Sequence, residues 1–368
     1  MMGERIRLGF IALNDAASLI VAEARGFFAD EGLDVELSRE VSWATMRDKM
    51  AVGALQGTHM LSPTALAISL GVAGSDPTPL IAPFALALNG PAVTLSSRLA
   101  GAVGQDGRAD GLARLVARRR EEGASPITLA VVFPYSTHNY LLRDWLAAAG
   151  IDPDRDIRLV VAPPSRMTGL LVDGVVEGFC VTEPWDTAAV AAGAGMIAVR
   201  GSQIWPRTPD KVFAVTEAWA EANPEALQAL LRALARAAAW VDTPTNRAEL
   251  AVILAQPGYV AADAAVIERS LSDMIFYADG ATCPAPAHAG WLLTQMMRWG
   301  HLPADLDIPA VARRIYRPDL HAQAMEALGL PVAQPVALLE GFGATGRYRL
   351  EDSAQEAAAA PLSRLARD

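Results

Sequence analysis

The sequence predicts an α/β fold in which two doubly wound lobes face each other across a ligand cleft, with a mainly helical C-terminal part. Three observations carry this. The chain has 368 residues and 52% of them are hydrophobic, more than one hydrophobic core usually absorbs, so two packed lobes are expected. Short β-branched runs alternate with amphipathic helical windows through the first third, the βαβ pattern of a parallel sheet. The alternation then stops, passes through a polar stretch and restarts.

In the first stretch, Ile6 to Leu13 reads as a strand, Ala16 to Phe28 as a helix, Asp34 to Val41 as a strand, Trp43 to Leu55 as a helix and His59 to Ser62 as a strand. Gly26 and Gly32 punctuate the first helix and its return, and Asp15 and Ser42 stand where helix N-caps are wanted. From Leu80 to Ser97 the chain is extended, interrupted by Asn89-Gly90-Pro91, and it crosses into a second lobe through a polar stretch ending in Arg118-Arg119-Arg120-Glu121-Glu122. There Ile127 to Phe133, Ile157 to Ala162 and Glu177 to Val181 read as strands, with helices over Thr137 to Ala149 and Ser165 to Val172. Pro206, Pro209 and the strand-like Lys211 to Thr216 mark a return crossover. Helices follow over Pro224 to Val241, Arg247 to Leu254 and Trp291 to Trp299, and the segment Glu351 to Asp368 is expected to be mobile. The expected division is residues 1–97 with 207–368 as the first lobe and 98–206 as the second.

The 31 basic and 41 acidic residues give a net charge of −10, which argues against nucleic acid as a direct ligand. Cys180 and Cys283, the two cysteines, lie in apolar or Pro-rich settings without a second thiol at metal-like spacing, so both read as small buried hydrophobes. No uncharged apolar segment is long enough to span a bilayer. The first residues lack a basic n-region, an apolar h-region and a cleavage site, so a cytoplasmic protein is expected.

Open α/β sheets bind ligands at the carboxyl ends of their strands, so the strand-to-helix turns carry the functional candidates. At Phe133-Pro134-Tyr135-Ser136-Thr137-His138 an apolar strand gives way to a capped helix with His138 in its first turn. Free backbone N–H groups and the helix dipole make that an anion site, though a histidine completing a capping arrangement reads the same. Ser42-Trp43 repeats the form with an aromatic that can wall a pocket or pack in the core. At Cys180-Val181-Thr182-Glu183-Pro184-Trp185 the Thr182 amide and hydroxyl can point into the cleft, while Glu183 reads as a capping or crossover residue. Lys211, in Pro209-Asp210-Lys211-Val212, brings an ammonium near the hinge that either neutralises an anion or is simply exposed. No Gly-x-Ser-x-Gly elbow, P-loop, His-Glu-x-x-His or dinucleotide-binding glycine motif is present, and the 5 histidines are dispersed, so neither an enzyme nor a cofactor is indicated.

At these turns the sequence resembles the nitrate-binding family of solute-binding proteins, which also holds bicarbonate-binding members and cytoplasmic nitrate/nitrite sensors. The resemblance rests on Gly26-Phe27-Phe28, Glu31-Gly32-Leu33-Asp34-Val35, Ser42-Trp43-Ala44, Arg47-Asp48-Lys49, Ser136-Thr137-His138-Asn139-Tyr140, Trp145-Leu146-Ala147-Ala148-Ala149-Gly150-Ile151, Gly178-Phe179-Cys180-Val181, Glu183-Pro184-Trp185 and Lys211-Val212, spread over Arg5 to Tyr316. It implies a type II periplasmic-binding-protein-like fold, with an oxyanion held by Trp43, His138 and Lys211. After Asn89-Gly90 the family commonly has an amide side chain where this chain has Pro91, and Thr182 replaces a usual glycine; Pro91 removes a donor and Thr182 supplies one. Trp43, His138, Lys211, Thr182, Asn89 and Pro91 are therefore the expected ligand-binding set.

Without an export segment, the chain resembles the sensors that release an ANTAR-type antiterminator regulator when nitrate or nitrite binds. The alternatives are the substrate-binding component of an ABC nitrate or bicarbonate transporter, and an enzyme of the thiamine-pyrimidine or menaquinone branch of the same fold.

Overall fold

A computed structural model describes residues 5–359 apart from 73, 75, 105 and 344. The alternation read from the sequence becomes ten strands in two five-stranded sheets: β1 (Ile6–Phe10), β2 (Val35–Arg39), β3 (Gly57–Leu61), β4 (Leu80–Leu88), β5 (Pro91–Ser96), β6 (Ile127–Val131), β7 (Ile157–Val161), β8 (Gly178–Thr182), β9 (Gly195–Arg200) and β10 (Pro209–Thr216). The first sheet has the order β2-β1-β3-β10-β4 and the second β7-β6-β8-β5-β9.

The sheets are mixed, where the alternation implied parallel ones. In each, one strand runs antiparallel: β10 against β3 and β4, and β5 against β8 and β9. These are the two strands that arrive from the opposite lobe. A chain entering at the cleft must run away from it, opposite to strands whose carboxyl ends point into it, and a direct entry needs no crossover helix.

The first crossing lies at Asn89-Gly90, before the expected boundary at residue 97, because β4 belongs to the first sheet and β5 already to the second. Asn89 (φ 66°) and Gly90 (φ 103°) turn the chain there in the left-handed region, which Asn tolerates and Gly adopts freely. A side chain at Gly90 would meet the Thr182 methyl at 3.0 Å. The return crossing passes alongside: the Asn89 amide N–H donates to Thr208 O (2.9 Å), Thr208 N donates to Asn89 Oδ1 (3.0 Å) and Asn89 Nδ2 donates to Asp273 O (3.0 Å).

The first lobe's core is closed by the helix Pro224–Asp242, whose Leu227, Leu230, Leu231, Leu234, Ala238 and Val241 lie at helical spacing and are buried with Leu19, Ile20 and Phe213. Helices Arg247–Leu254 and Pro286–Arg298 fall close to where periodicity predicts them. The C-terminal part, expected in the first lobe, instead straps both lobes. Trp291 meets Trp205 edge-on at 5.4 Å and Tyr348 at 5.3 Å, while Asp144 of the second lobe accepts from Trp205 Nε1 at 2.9 Å and from the Arg298 guanidinium. Part of the expected mobile tail is a helix, Ser353–Ala359, whose Ser353 is buried and donates to Leu350 O at 2.5 Å; the residues from 360 lie outside the described ones. Among the described residues no helix is long and apolar enough to cross a membrane.

Candidate functional site

Three turns bring the expected residues to one place. Ser42 caps the helix Trp43–Ala51 by accepting from Thr45 N at 3.2 Å, which sets Trp43 at its first position. Ser136 does the same for Thr137–Ala148, accepting from Asn139 N at 3.1 Å and fixing His138 in the first turn. Asp15, read from the sequence as a cap, caps nothing; it lies in the 3₁₀ turn Asn14–Ala16 after β1 with its carboxylate directed at the cleft. At the start of β10 the pairing with β4 is irregular around Lys211, and such a bulge lets the consecutive Asp210 and Lys211 side chains serve one site.

The result is a polar cluster sealed between the lobes, in which Asp15, Trp43, His59, His138, Thr182, Asp210 and Lys211 are each at most 2% exposed. Lys211 Nζ donates to Asp210 Oδ2 and to Thr182 Oγ1 (3.2 Å) and is ion-paired with Asp15 Oδ2 at 2.8 Å. Thr182 Oγ1 donates to Asp210 Oδ2 at 2.6 Å and meets His138 Nε2 at 2.7 Å. On the first-lobe side, His59 Nδ1 accepts from Ile11 N at 3.4 Å, so its Nε2–H is the group that meets Asp15 Oδ1 at 2.7 Å. The Lys211 ammonium sits 5.6 Å from the centre of the Trp43 ring, and Trp43 and His59 are 5.5 Å apart, centre to centre. Four buried polar atoms of this cluster have no hydrogen-bond partner among the described residues: Trp43 Nε1, His138 Nδ1, Asp15 Oδ2 and Asp210 Oδ1.

Burial and charge act against each other here. Burial pushes the His138 imidazolium down to about 4, the nearby Asp210 carboxylate opposing and the Lys211 ammonium adding to the fall. For Lys211 burial also disfavours the charge, but Asp15 and Asp210 together outweigh it and hold the ammonium above its ordinary value. Burial likewise opposes the Asp15 carboxylate, and Lys211 and His59 overcome it and hold the group well below the usual carboxylate range. Burial keeps the Cys180 thiol protonated beside them.

Of the expected set, Trp43, His138, Lys211 and Thr182 converge. Pro91 opens β5 directly opposite Thr182 and presents no N–H there. Asn89 behaves differently: both ends of its amide are engaged by Thr208 and Asp273, which makes it a brace of the hinge. Glu183 accepts from Thr187 N (2.9 Å) and Thr187 Oγ1 (2.7 Å), the capping role expected of it. Sequence reasoning assigned no role to Asp210 or His59 and misassigned Asp15. The signal that could have found them is position, because all three lie on or just past strands adjoining the first-lobe side of the cleft. The cluster lies between lobes that touch beside it, through Asn14 N to Glu183 O (2.9 Å), Trp185 Nε1 to Ala12 O (2.9 Å) and Thr64 Oγ1 to Tyr135 O (2.6 Å). A cavity of 760 Å³ opens between Ile11, Ala12 and Arg39–Val41 of the first lobe and Pro163–Arg166 of the second. Among the described residues no group of three or more His, Cys, Asp or Glu is arranged to hold a metal ion.

Residues 3–255 match the model of the NMT1-like family. The nitrate/nitrite binding protein NrtA of Synechocystis sp. is 34% identical over 355 residues, 89% of this chain and 77% of that protein. The nitrate import ATP-binding protein NrtC of the same organism is 35% identical over 344 residues, 88% of this chain and 50% of NrtC, and the bicarbonate transport ATP-binding protein CmpC is 34% identical over 354 residues. The crystal structure of the periplasmic nitrate-binding protein NrtA from Synechocystis superposes with a TM-score of 0.90 at 31% identity, covering 96% of this chain and 98% of that one. The aliphatic sulphonate binding protein SsuA of Escherichia coli, at 17% identity and a TM-score of 0.61, shares the fold.

Proposed function

Because the chain belongs to the NMT1-like family, within the nitrate, sulfonate and bicarbonate solute-binding proteins, we propose that it closes on nitrate or nitrite and serves as the substrate-binding component of an ABC-type import system. It is a binding protein and not an enzyme. The observation that carries the ligand reading is the meeting of Trp43, His138 and Lys211, from three separate turns, in one sealed polar cluster. The same cluster joins the lobes: Thr182 and His138 come from the second, Lys211, Asp15 and Trp43 from the first. A ligand bound there is gripped by both and favours the closed form, which is what a delivery protein requires.

The relatives favour the import component over the cytoplasmic sensor and its ANTAR-type regulator partner, since those at about one-third identity are named for nitrate binding, nitrate import and bicarbonate transport. An ATP-binding import subunit is accordingly the partner class we propose. The size of nitrate limits its affinity: about −1.5 kcal/mol per non-hydrogen atom over roughly four atoms gives about −6 kcal/mol, a Kd of tens of micromolar.

A thermal-shift screen against nitrate, nitrite, bicarbonate and small sulfonates tests the reading, because a ligand selective for the folded state raises its stability. Nitrate or nitrite is expected to give the largest shift. No shift with any of these anions at millimolar concentration overturns the proposal.

A further inference from the structure

We propose that an oxyanion enters this cleft together with one proton, and that the proton lodges on His138 Nδ1 when the anion carries none of its own. The inference rests on the oxyanion reading above and deepens it. It follows from the inventory of donors and charges around Lys211. The ammonium donates to Asp210 Oδ2 and Thr182 Oγ1 and is ion-paired with Asp15 Oδ2 at 2.8 Å, so its charge is already matched before an anion arrives. The Thr182 hydroxyl spends its hydrogen on Asp210 Oδ2. Its oxygen can therefore only accept from His138, which fixes the tautomer: Nε2 carries the hydrogen and Nδ1 presents a bare lone pair. That Nδ1 is buried and has no partner among the described residues. A lone pair repels a nitrate oxygen, whereas an N–H at the same atom binds it.

The charges point the same way. With the ammonium of Lys211 against the carboxylates of Asp15 and Asp210, this ion-paired trio carries one net negative charge. A second buried negative charge is strongly opposed unless a positive one accompanies it. His138 is placed to supply it. Asp210 Oδ2 of β10 is 3.7 Å from its Nε2, and Lys211 of β10 and Asp15 of the first-lobe turn act on it from further away. On β8 the Cys180 thiol, kept protonated by burial, lies near Asp210 and Lys211, while β5, Pro91–Ser96, has no titratable residue. On the helix Pro286–Arg298, Arg298 is engaged by Asp144 and His288 responds to Arg207. Burial lowers the His138 pKa to about 4 and keeps the imidazole neutral, so at neutral pH the proton must come with the ligand.

The step is a balanced association: site, anion and one proton give a complex with an imidazolium beside the anion. No covalent bond to the anion forms, and no oxidant or reductant takes part. An anion that brings its own O–H, such as hydrogencarbonate, donates that hydrogen to Nδ1 and needs no proton from solvent.

Titration calorimetry of the full chain with sodium nitrate, in buffers of different ionisation enthalpy, reads the proton directly. The expected result is uptake of about one proton per nitrate at pH 7, and an affinity that weakens about tenfold per pH unit between pH 6 and 8, the slope of one linked proton. Hydrogencarbonate, which brings a hydrogen for Nδ1 but no balancing charge, is expected to bind with no uptake and more weakly than nitrate at pH 6. Asp210→Asn removes the excess negative charge but leaves His138 Nδ1 bare, so nitrate should bind it at least about tenfold more tightly than wild type at pH 8, still with uptake. Nitrate binding by wild type with no proton uptake and a flat pH profile overturns the inference and leaves the nitrate reading intact. No nitrate binding between pH 5 and 8 sinks both. Uptake that persists in His138→Gln overturns the assignment to His138 even if either variant is too unstable for a full titration series.

Discussion

Thr182 Oγ1 donates to Asp210 Oδ2 at 2.6 Å across the line where the two lobes meet. This single hydroxyl connects Lys211 and Asp210 on the return strand to His138 at the second lobe's helix start. A glycine at Thr182, usual in the resembling family, could make none of these bonds.

Thr182→Val keeps the shape and removes the hydroxyl, leaving Asp210 Oδ2, Lys211 Nζ and His138 Nε2 each short of a partner. Leaving buried polar groups unsatisfied costs about 1–3 kcal/mol. Since the lost bonds join the lobes, the closed form should weaken. Small-angle scattering of the ligand-free variant is expected to show a larger radius of gyration than wild type; identical curves would count against the hydroxyl as a closing contact.

Lys211→Met leaves the Asp15 and Asp210 carboxylates buried without their cation. Removing one partner of a buried ion pair costs about 3–5 kcal/mol. Urea unfolding should register a loss of that order together with loss of nitrate binding, and Asp15→Asn in the same chain should recover part of the stability. No recovery in the double variant would mean that the cost does not come from uncompensated charge.

Stability should fall on mild acidification. His138 and His288 are buried with imidazolium forms lowered to about 4, burial being the leading cause in both. A group whose folded pKa is depressed binds fewer protons in the native state, so its contribution is complete above the unfolded value near 6.5 and is lost as pH falls towards 4. Each can account for up to roughly 3 kcal/mol over that window. Asp15, depressed by Lys211 and His59 against the opposing effect of burial, adds a further loss below about pH 4. Urea midpoints taken from pH 7 down to 4 are the check, and a constant midpoint is the adverse result.

Asn89→Ala should destabilise the hinge. The substitution loses the bonds to Thr208 N and Asp273 O and puts a non-glycine residue without a compensating side-chain bond at φ 66°. A cost of about 1–3 kcal/mol is expected, with Asn89→Gly milder because glycine accepts the backbone angle. Equal costs for the two variants would show that backbone strain plays no part.

Much of the fold was legible because alternation and caps are local properties. Ser42 and Ser136 announce their helices within three residues, and the helix Pro224–Asp242 shows its buried face at a helical period. The mixed character of the sheets was not legible, since β5 and β10 read like any other strand and only their entry from the opposite lobe reverses them. The crossing at Asn89-Gly90 was misplaced for a related reason: β4 and β5 form one extended run, broken by two left-handed residues that change the sheet without changing the pattern.

By itself the sequence determined the two-lobed architecture and, through capped turns and family resemblance, the convergence of Trp43, His138, Lys211 and Thr182. Only the tertiary structure decided what surrounds Lys211. Asp15 looked like a cap, Asp210 like the neighbour of a lysine and His59 like the first residue of a strand, and none carries a local mark of its partner. They meet because β1, β3 and β10 are consecutive in the first sheet, with Asp15 just past β1, His59 on β3 and Asp210 beside Lys211 at the start of β10. Burial then forces each charge to find an opposite one. That enforced pairing, absent from any stretch of sequence, turns a lysine suited to an anion into one already neutralised, and makes the charge of the ligand's companion part of its recognition.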